Sequence, residues 1–370
     1  MISHLGQYFI FCIDLYGVAH PTLNTVMNKK ISVFVLCLSA LLPDYSFAQD
    51  IQFSQYYAAP LYLNPALAGI NQTGRAGVNY RNQWPSINAN FETFSAYADV
   101  NFDEKNSSVG LLITSDQVGL AGLQANEFAL QYAYQVNVNY KWTFRPAIQL
   151  SYGTRSIDFS KVVFGDQLDN SGLTGNPSGE QFNSNQVGYF DMGLGGIVFS
   201  SRIWLGVSMH HIREPNISIT GGESPLPRKF SVHGGYRIPL QTAYRKGETA
   251  AGYERSITPT FNYRSQGDFK QLDLGLYVTR APMIFGLWYR GIPIVSNEFG
   301  GTNSEAIIAM IGVTQKKFTL GYSFDYTLSN LGIASGGAHE ISLTYTFKWG
   351  DPRKPDRDVR ELKCPVPYIF

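Results

Sequence analysis

From residue 74 onward the chain alternates apolar and polar positions with a period of two, the pattern of strands that turn one face to an apolar medium and the other to a polar one. In the closing run, Ile341, Leu343, Tyr345, Phe347 and Trp349 take one face, and Ser342, Thr344, Thr346 and Lys348 take the other. Phe318, Leu320, Tyr322, Phe324 and Tyr326 oppose Thr319, Gly321, Ser323, Asp325 and Thr327. Leu272, Leu274, Leu276 and Val278 oppose Gln271, Asp273, Gly275, Tyr277 and Thr279, and Phe144, Ile148, Leu150 and Tyr152 oppose Thr143, Arg145, Gln149 and Ser151. With turn signals as boundaries, fourteen such runs are predicted: 74–84, 91–102, 107–117, 125–138, 142–158, 189–200, 202–212, 229–240, 256–266, 269–281, 283–292, 305–315, 317–328 and 338–349.

Most of these runs hold 10 to 14 residues. Strands of soluble proteins average about five or six, whereas a tilted membrane strand needs about nine to eleven. Connection lengths test the same idea, because bacterial barrels alternate short periplasmic turns with longer external loops. Asp103–Asn106, Asn139–Lys141, Ser201, Pro282 and Lys316 are the short connections on one side; Ser160–Gly188, Arg213–Arg228, Pro293–Ser304 and Ser329–Gly337 are the longer ones on the other. Gln241–Arg255 and Gly267-Asp268 depart from the rule. The prediction is an all-β chain: a transmembrane antiparallel β-barrel of about 14 strands over 74–349, set in outer-membrane lipid with both termini periplasmic. A soluble β-sandwich shares the alternation but rarely needs so many long strands.

Two stretches precede the barrel. Asn28-Lys29-Lys30 after Met27, the apolar run Ile31–Leu42, and Ser46-Phe47-Ala48 before Gln49 have the pattern of a secretory signal. Residues 27–48 are therefore expected to be a signal peptide and 1–26 an upstream extension. The segment 49–73 opens with QDIQFSQYYAAPLYLNPALAG, Gln49 to Gly69. It is greasy and aromatic, yet Pro60 and Asn64-Pro65 bar a regular helix or a central strand. Such a segment docks onto something, either as a plug in the barrel or against a partner. At the other end the tail 350–370 interleaves basic and acidic residues, and Pro365 and Pro367 bar a fifteenth strand. It is either solvated or a periplasmic docking peptide.

Composition narrows the function classes. Aromatics make up 14% and charged residues 15%, with 36 Gly. After Ala48 no window is long and apolar enough for a membrane helix, which needs about 20 residues. A net charge of +1 argues against a nucleic-acid partner. Cys364 is the one cysteine beyond the signal, so no disulfide framework forms within the chain. His210-His211 would point to opposite faces of a strand, one into the lumen and one near the outer rim, and could not grip one metal ion. The oxygen-rich loop Gly165–Gly179 departs from calcium-loop spacing, and no G-x-S-x-G turn occurs. No catalytic, cofactor or metal residue is assigned, and no enzyme is expected. Gly193-Leu194-Gly195-Gly196 lies within a strand, where glycines make room for bulky neighbours. Arg145, Arg155, Asp99, Glu92, Asp273, Asp325, Arg290 and Lys348 are placed on inner faces, where they are expected to pair and close a narrow lumen. Trp84, Trp142 and Trp349 suit an interfacial girdle, whereas Trp288 could face lipid or lumen.

The combination D-I-Q-F-S-Q-Y-Y-A-A-P-L-Y-L-N-P-A-L-A-G (Asp50 to Gly69), R-x-Q-W-P (Arg81, Gln83, Trp84, Pro85), F-E-T-F-S-A-Y-A-D (Phe91 to Asp99) and H-E-I-S-L-T-Y (His339 to Tyr345) resembles the PorP/SprF family of Bacteroidota outer-membrane proteins. The resemblance implies an accessory component of the type IX secretion system, in several cases connected with gliding. Such a component binds or positions a secreted substrate that carries a C-terminal signal, together with periplasmic and outer-membrane subunits. The strand pattern alone equally permits a solute channel or a fatty-acid-type transporter. Phe53, Tyr56, Tyr57, Leu61, Asn64, Pro65, Gly69, Arg81 and Trp84 are the candidate partner-binding residues.

Overall fold

The structure is a computed structural model that describes residues 50–71, 74–87, 91–119, 122–170, 172–180, 184–241, 255–296, 302–328, 332–348 and 364–367. The expected signal peptide and most of the tail lie outside these ranges, as does Trp349. Fourteen long strands make the wall: β1 Gly74–Gln83, β2 Phe91–Phe102, β3 Ser107–Val118, β4 Leu123–Tyr134, β5 Thr143–Ser156, β6 Gln186–Phe199, β7 Ile203–His210, β8 Lys229–Tyr236, β9 Arg255–Gln266, β10 Phe269–Arg280, β11 Met283–Ser296, β12 Thr302–Gln315, β13 Phe318–Thr327 and β14 Ala338–Phe347. Each pairs antiparallel with its neighbours in the chain. β14 then pairs with β1 along the whole strand, from Gly74 opposite Phe347 to Gln83 opposite Ala338. The barrel is thus closed and leaves no edge.

The period-two pattern sorts the side chains as expected. Phe128, Leu130 and Tyr132 on β4, Leu150 on β5, Leu274 on β10 and Ile341 on β14 stand exposed on the outer face. An apolar belt of this extent suits lipid, not water. The inner faces carry Ser95, Asp99, Gln131, Gln149, Ser208, Asn262, Asp273, Ser323 and Glu340, all buried. Two of the inward charges are corrected. Glu92 is exposed on the outer face of β2, because Thr93, Ser95, Tyr97 and Asp99 are the residues that point inward. Lys348 is exposed just beyond β14. Trp204 and Trp288 are buried inside, whereas Trp142 is exposed in the connection before β5 and Trp84 is half-buried after β1.

The two mouths differ. Connections 103–106, 200–202, 281–282 and 316–317 lie at one, called here the turn end; 157–185 and 211–228 lie at the other, the loop end. Gly74 and Phe347 share the turn end. From Asp50 to Asn71 the chain runs through the lumen from the loop end toward the turn end. It makes one helical turn at Pro60–Leu63 and a 3-10 turn at Pro65–Leu67, punctuated by the same prolines that bar longer helix. Every residue from Phe53 to Ile70 is buried except Tyr62, which is half-buried.

Candidate functional site

The site is the set of contacts that holds this lumenal segment in the barrel, and it has three anchors. The first is at the loop end. Asp50 accepts from Lys229 Nζ at 2.9 Å and from Gln266 Nε2 at 3.1 Å, and its own N–H donates to Gln266 Oε1 at 3.0 Å. His211 bridges it to the wall, with Nε2 2.7 Å from Asp50 and Nδ1 2.6 Å from Asp191. Burial alone would lower the His211 pKa, but the two carboxylates outweigh it and raise the group to about 10. Burial would likewise raise Asp50, yet His211 and Lys229 hold it well below the usual carboxylate range. The imidazolium therefore sits charged between two carboxylates. The expected division of the His pair between lumen and outer rim is corrected: both rings are buried, 6.4 Å apart. Strand alternation ends at His210, and His211 takes a left-handed backbone, φ 57°, that turns its ring back inside.

The second anchor is at Ser54-Gln55. Glu340 on β14 accepts from the Ser54 N–H at 2.7 Å and the Gln55 N–H at 3.1 Å, while Gln55 Nε2 donates to the Glu340 carbonyl at 2.9 Å. Ser342 donates to Gln55 Oε1 at 2.7 Å, and Ser54 Oγ donates to Asp325 at 2.5 Å. Around them runs a ladder of buried charge: Arg81 pairs with Asp325 and Glu340, Arg290 with Asp325 and Asp273, and Arg264 with Asp273. The F-S-Q-Y and H-E-I-S runs, at opposite ends of the sequence, thus meet inside the barrel. Buried main-chain donors need partners, and these carboxylates supply them.

The third anchor lies toward the turn end. Asn64 Oδ1 accepts from Ala66 N–H at 2.9 Å and so caps the 3-10 turn; its Nδ2 donates to the carbonyls of Gly196 and Val207 at 3.2 and 3.0 Å. Arg145 donates to the carbonyls of Ala66 and Ala68, and Asp99 accepts from the Gly69 N–H while pairing with Arg75 at 2.8 Å. Glycines on the wall make this approach possible. A Cβ at Gly195 would stand 2.2 Å from Asn64 Oδ1, and one at Gly110 2.8 Å from Leu61 Cδ2. Between the second and third anchors, Tyr56 reaches Thr260 at 3.0 Å, Tyr57 accepts from Trp204 Nε1 at 2.9 Å, and Trp288 packs on Tyr56 and Tyr277.

Of the candidate residues, Phe53, Tyr56, Tyr57, Leu61, Asn64, Pro65, Gly69 and Arg81 come together here, all buried against the wall or the segment. Trp84 stands apart at the loop-end rim, stacked edge-on against Phe91 at 5.3 Å. There a cavity of about 410 Å³ opens beside Ile51 and Gln52, lined also by Arg81, Trp84, Asp116 and Glu305. Sequence reasoning missed Asp50, Ser54, Gln55, His211 and Glu340. The signal available was polarity out of place: Ser54-Gln55 in a greasy segment, and Glu340 on an inward face.

A family model described as "Type IX secretion system membrane protein PorP/SprF" matches residues 45–345. No curated protein sequence matches the chain. Solved structures similar to it include the Ralstonia pickettii toluene transporter TbuX, at 11% identity and TM-score 0.44, covering 79% of this chain and 94% of that one. A Pseudomonas aeruginosa FadL homologue aligns at 11% identity and TM-score 0.41, covering 78% and 93%. The Acinetobacter baumannii outer membrane protein Omp33 aligns at 8% identity and TM-score 0.39, covering 76% and 100%.

Proposed function

Because the chain belongs to the PorP/SprF family of type IX secretion system membrane proteins, we propose that this outer-membrane barrel works as a closed docking component, binding or positioning a secreted protein alongside other secretion subunits. The observation that carries the reading is the occupied lumen. A solute channel needs a continuous wet path, whereas here the segment 53–70 is packed and hydrogen-bonded to walls on opposite sides, among them β4, β7, β9 and β14. Its work is binding, with no covalent step. The partner surface is then the loop-end rim and the exposed connections rather than the buried candidate residues, which brace them from within. A client that is an adhesin or a gliding-related protein fits this role. Deleting the gene and profiling secreted proteins tests it: selective loss of one or a few exported proteins is expected, and an unchanged secretome overturns it.

A further inference from the structure

The turn-end mouth holds a second guest. Cys364, Pro365, Val366 and Pro367 are all buried. Cys364 and Val366 belong to the same apolar cluster as Tyr57, Ala147, Phe199, Trp204 and Ile284. The wall members of that group sit near the turn-end limits of β5, β6, β7 and β11, so the four residues lie inside the turn-end mouth, next to the lumenal segment. Reach is no obstacle. β14 ends at the same mouth with Phe347, and an extended chain covers about 3.3 Å per residue, so the intervening stretch can return Cys364 to the opening.

The peptide's chemistry suits the place. Pro365 and Pro367 bring no N–H. The tetrapeptide therefore brings only two main-chain donors, those of Cys364 and Val366, into an apolar mouth.

We propose that the turn-end mouth is a peptide-binding site whose resident occupant is the chain's own C-terminal tail, Cys364–Pro367, seated as a stopper beside the lumenal segment. Withdrawal of that segment toward the turn end then requires the tail to leave first. A partner that competes for the mouth is an extended peptide of small apolar residues alternating with proline. This stands apart from the choice between docking protein and channel, since it concerns only what fills the mouth.

Thiol labelling of the full chain tests it, with mass spectrometry assigning the rate to the Cys364 peptide. In the folded barrel, a polar maleimide is expected to label Cys364 at least about tenfold slower than in the urea-unfolded chain, the factor that about 1.4 kcal/mol of docking gives. Equal rates overturn the proposal. Val366→Asp in the full chain is expected to restore fast labelling while the protein keeps the heat-modifiable migration of a folded barrel. Continued protection in that folded variant also overturns it.

Discussion

Glu340 shows what a single side chain does in this barrel. It accepts two main-chain N–H groups of the lumenal segment and pairs with Arg81, all out of water. Glu340→Ala strands those two donors and leaves Arg81 to Asp325 and Ser54, and each buried donor left unmet costs about 1–3 kcal/mol. The expected result is faster hydrogen exchange at Ser54 and Gln55 with β1 and β14 still protected. At the loop end the anchor is set by pH. His211 is raised, so its contribution is complete below its unfolded value of about 6.5 and is lost as pH rises through about 10. Asp50 is depressed, so its contribution is present above about 3.8 and is lost only as pH falls through its lower folded value. Proteolytic nicking beside Asp50 is therefore expected to be lowest at about pH 5 to 6, to rise progressively as pH climbs from about 6.5 to about 10, and to level off above that. His211→Gln is expected to bring that nicking to neutral pH.

At the scale of elements, the strands were legible because membrane and lumen impose period two on nearly every residue of the wall. The predicted run 91–102 coincides with β2, and 229–240 is carried by β8 and by a short strand, Ile238–Gln241, that continues its pairing with β9 past a break at Arg237. The lumenal segment was legible as something that docks, through Pro60 and Asn64-Pro65. Its seat was not, because the anchors pair Ser54 with Glu340 and Asp50 with His211, residues far apart in sequence whose meeting depends on barrel closure. Glu92 was misplaced for a local reason: Phe91, Thr93 and Tyr97 point inward on β2, so the aromatic face there is not simply the lipid face. Gly195 of β6 proved to be part of the wall's half of the fit. Gly195→Leu puts a side chain where Asn64 and Pro65 stand, and overpacking costs about 1–3 kcal/mol even when neighbours adjust. The expected outcome is a folded barrel with a displaced segment, read as ion conductance in planar bilayers that the unaltered chain lacks.

For the whole molecule, two features fit together. The wall closes through β1 and β14 without help from residues 50–71, since strand pairing alone completes it. The lumen is then filled by a segment that enters at the loop end and leaves at the turn end, tied along its length. A passive pore keeps its lumen open, whereas a barrel that presents a rigid rim to other proteins gains stiffness from such filling. Removing Gln52–Gly69 is accordingly expected to leave a barrel that still inserts and migrates as folded, but with an open lumen. Liposome swelling tests the central claim most directly, with full chain and deletion compared at equal amounts of inserted protein. The account predicts that the full chain swells liposomes in small sugars no faster than lipid alone, while the deletion variant swells them with a rate that falls as solute size grows. Size-dependent swelling by the full chain would contradict it.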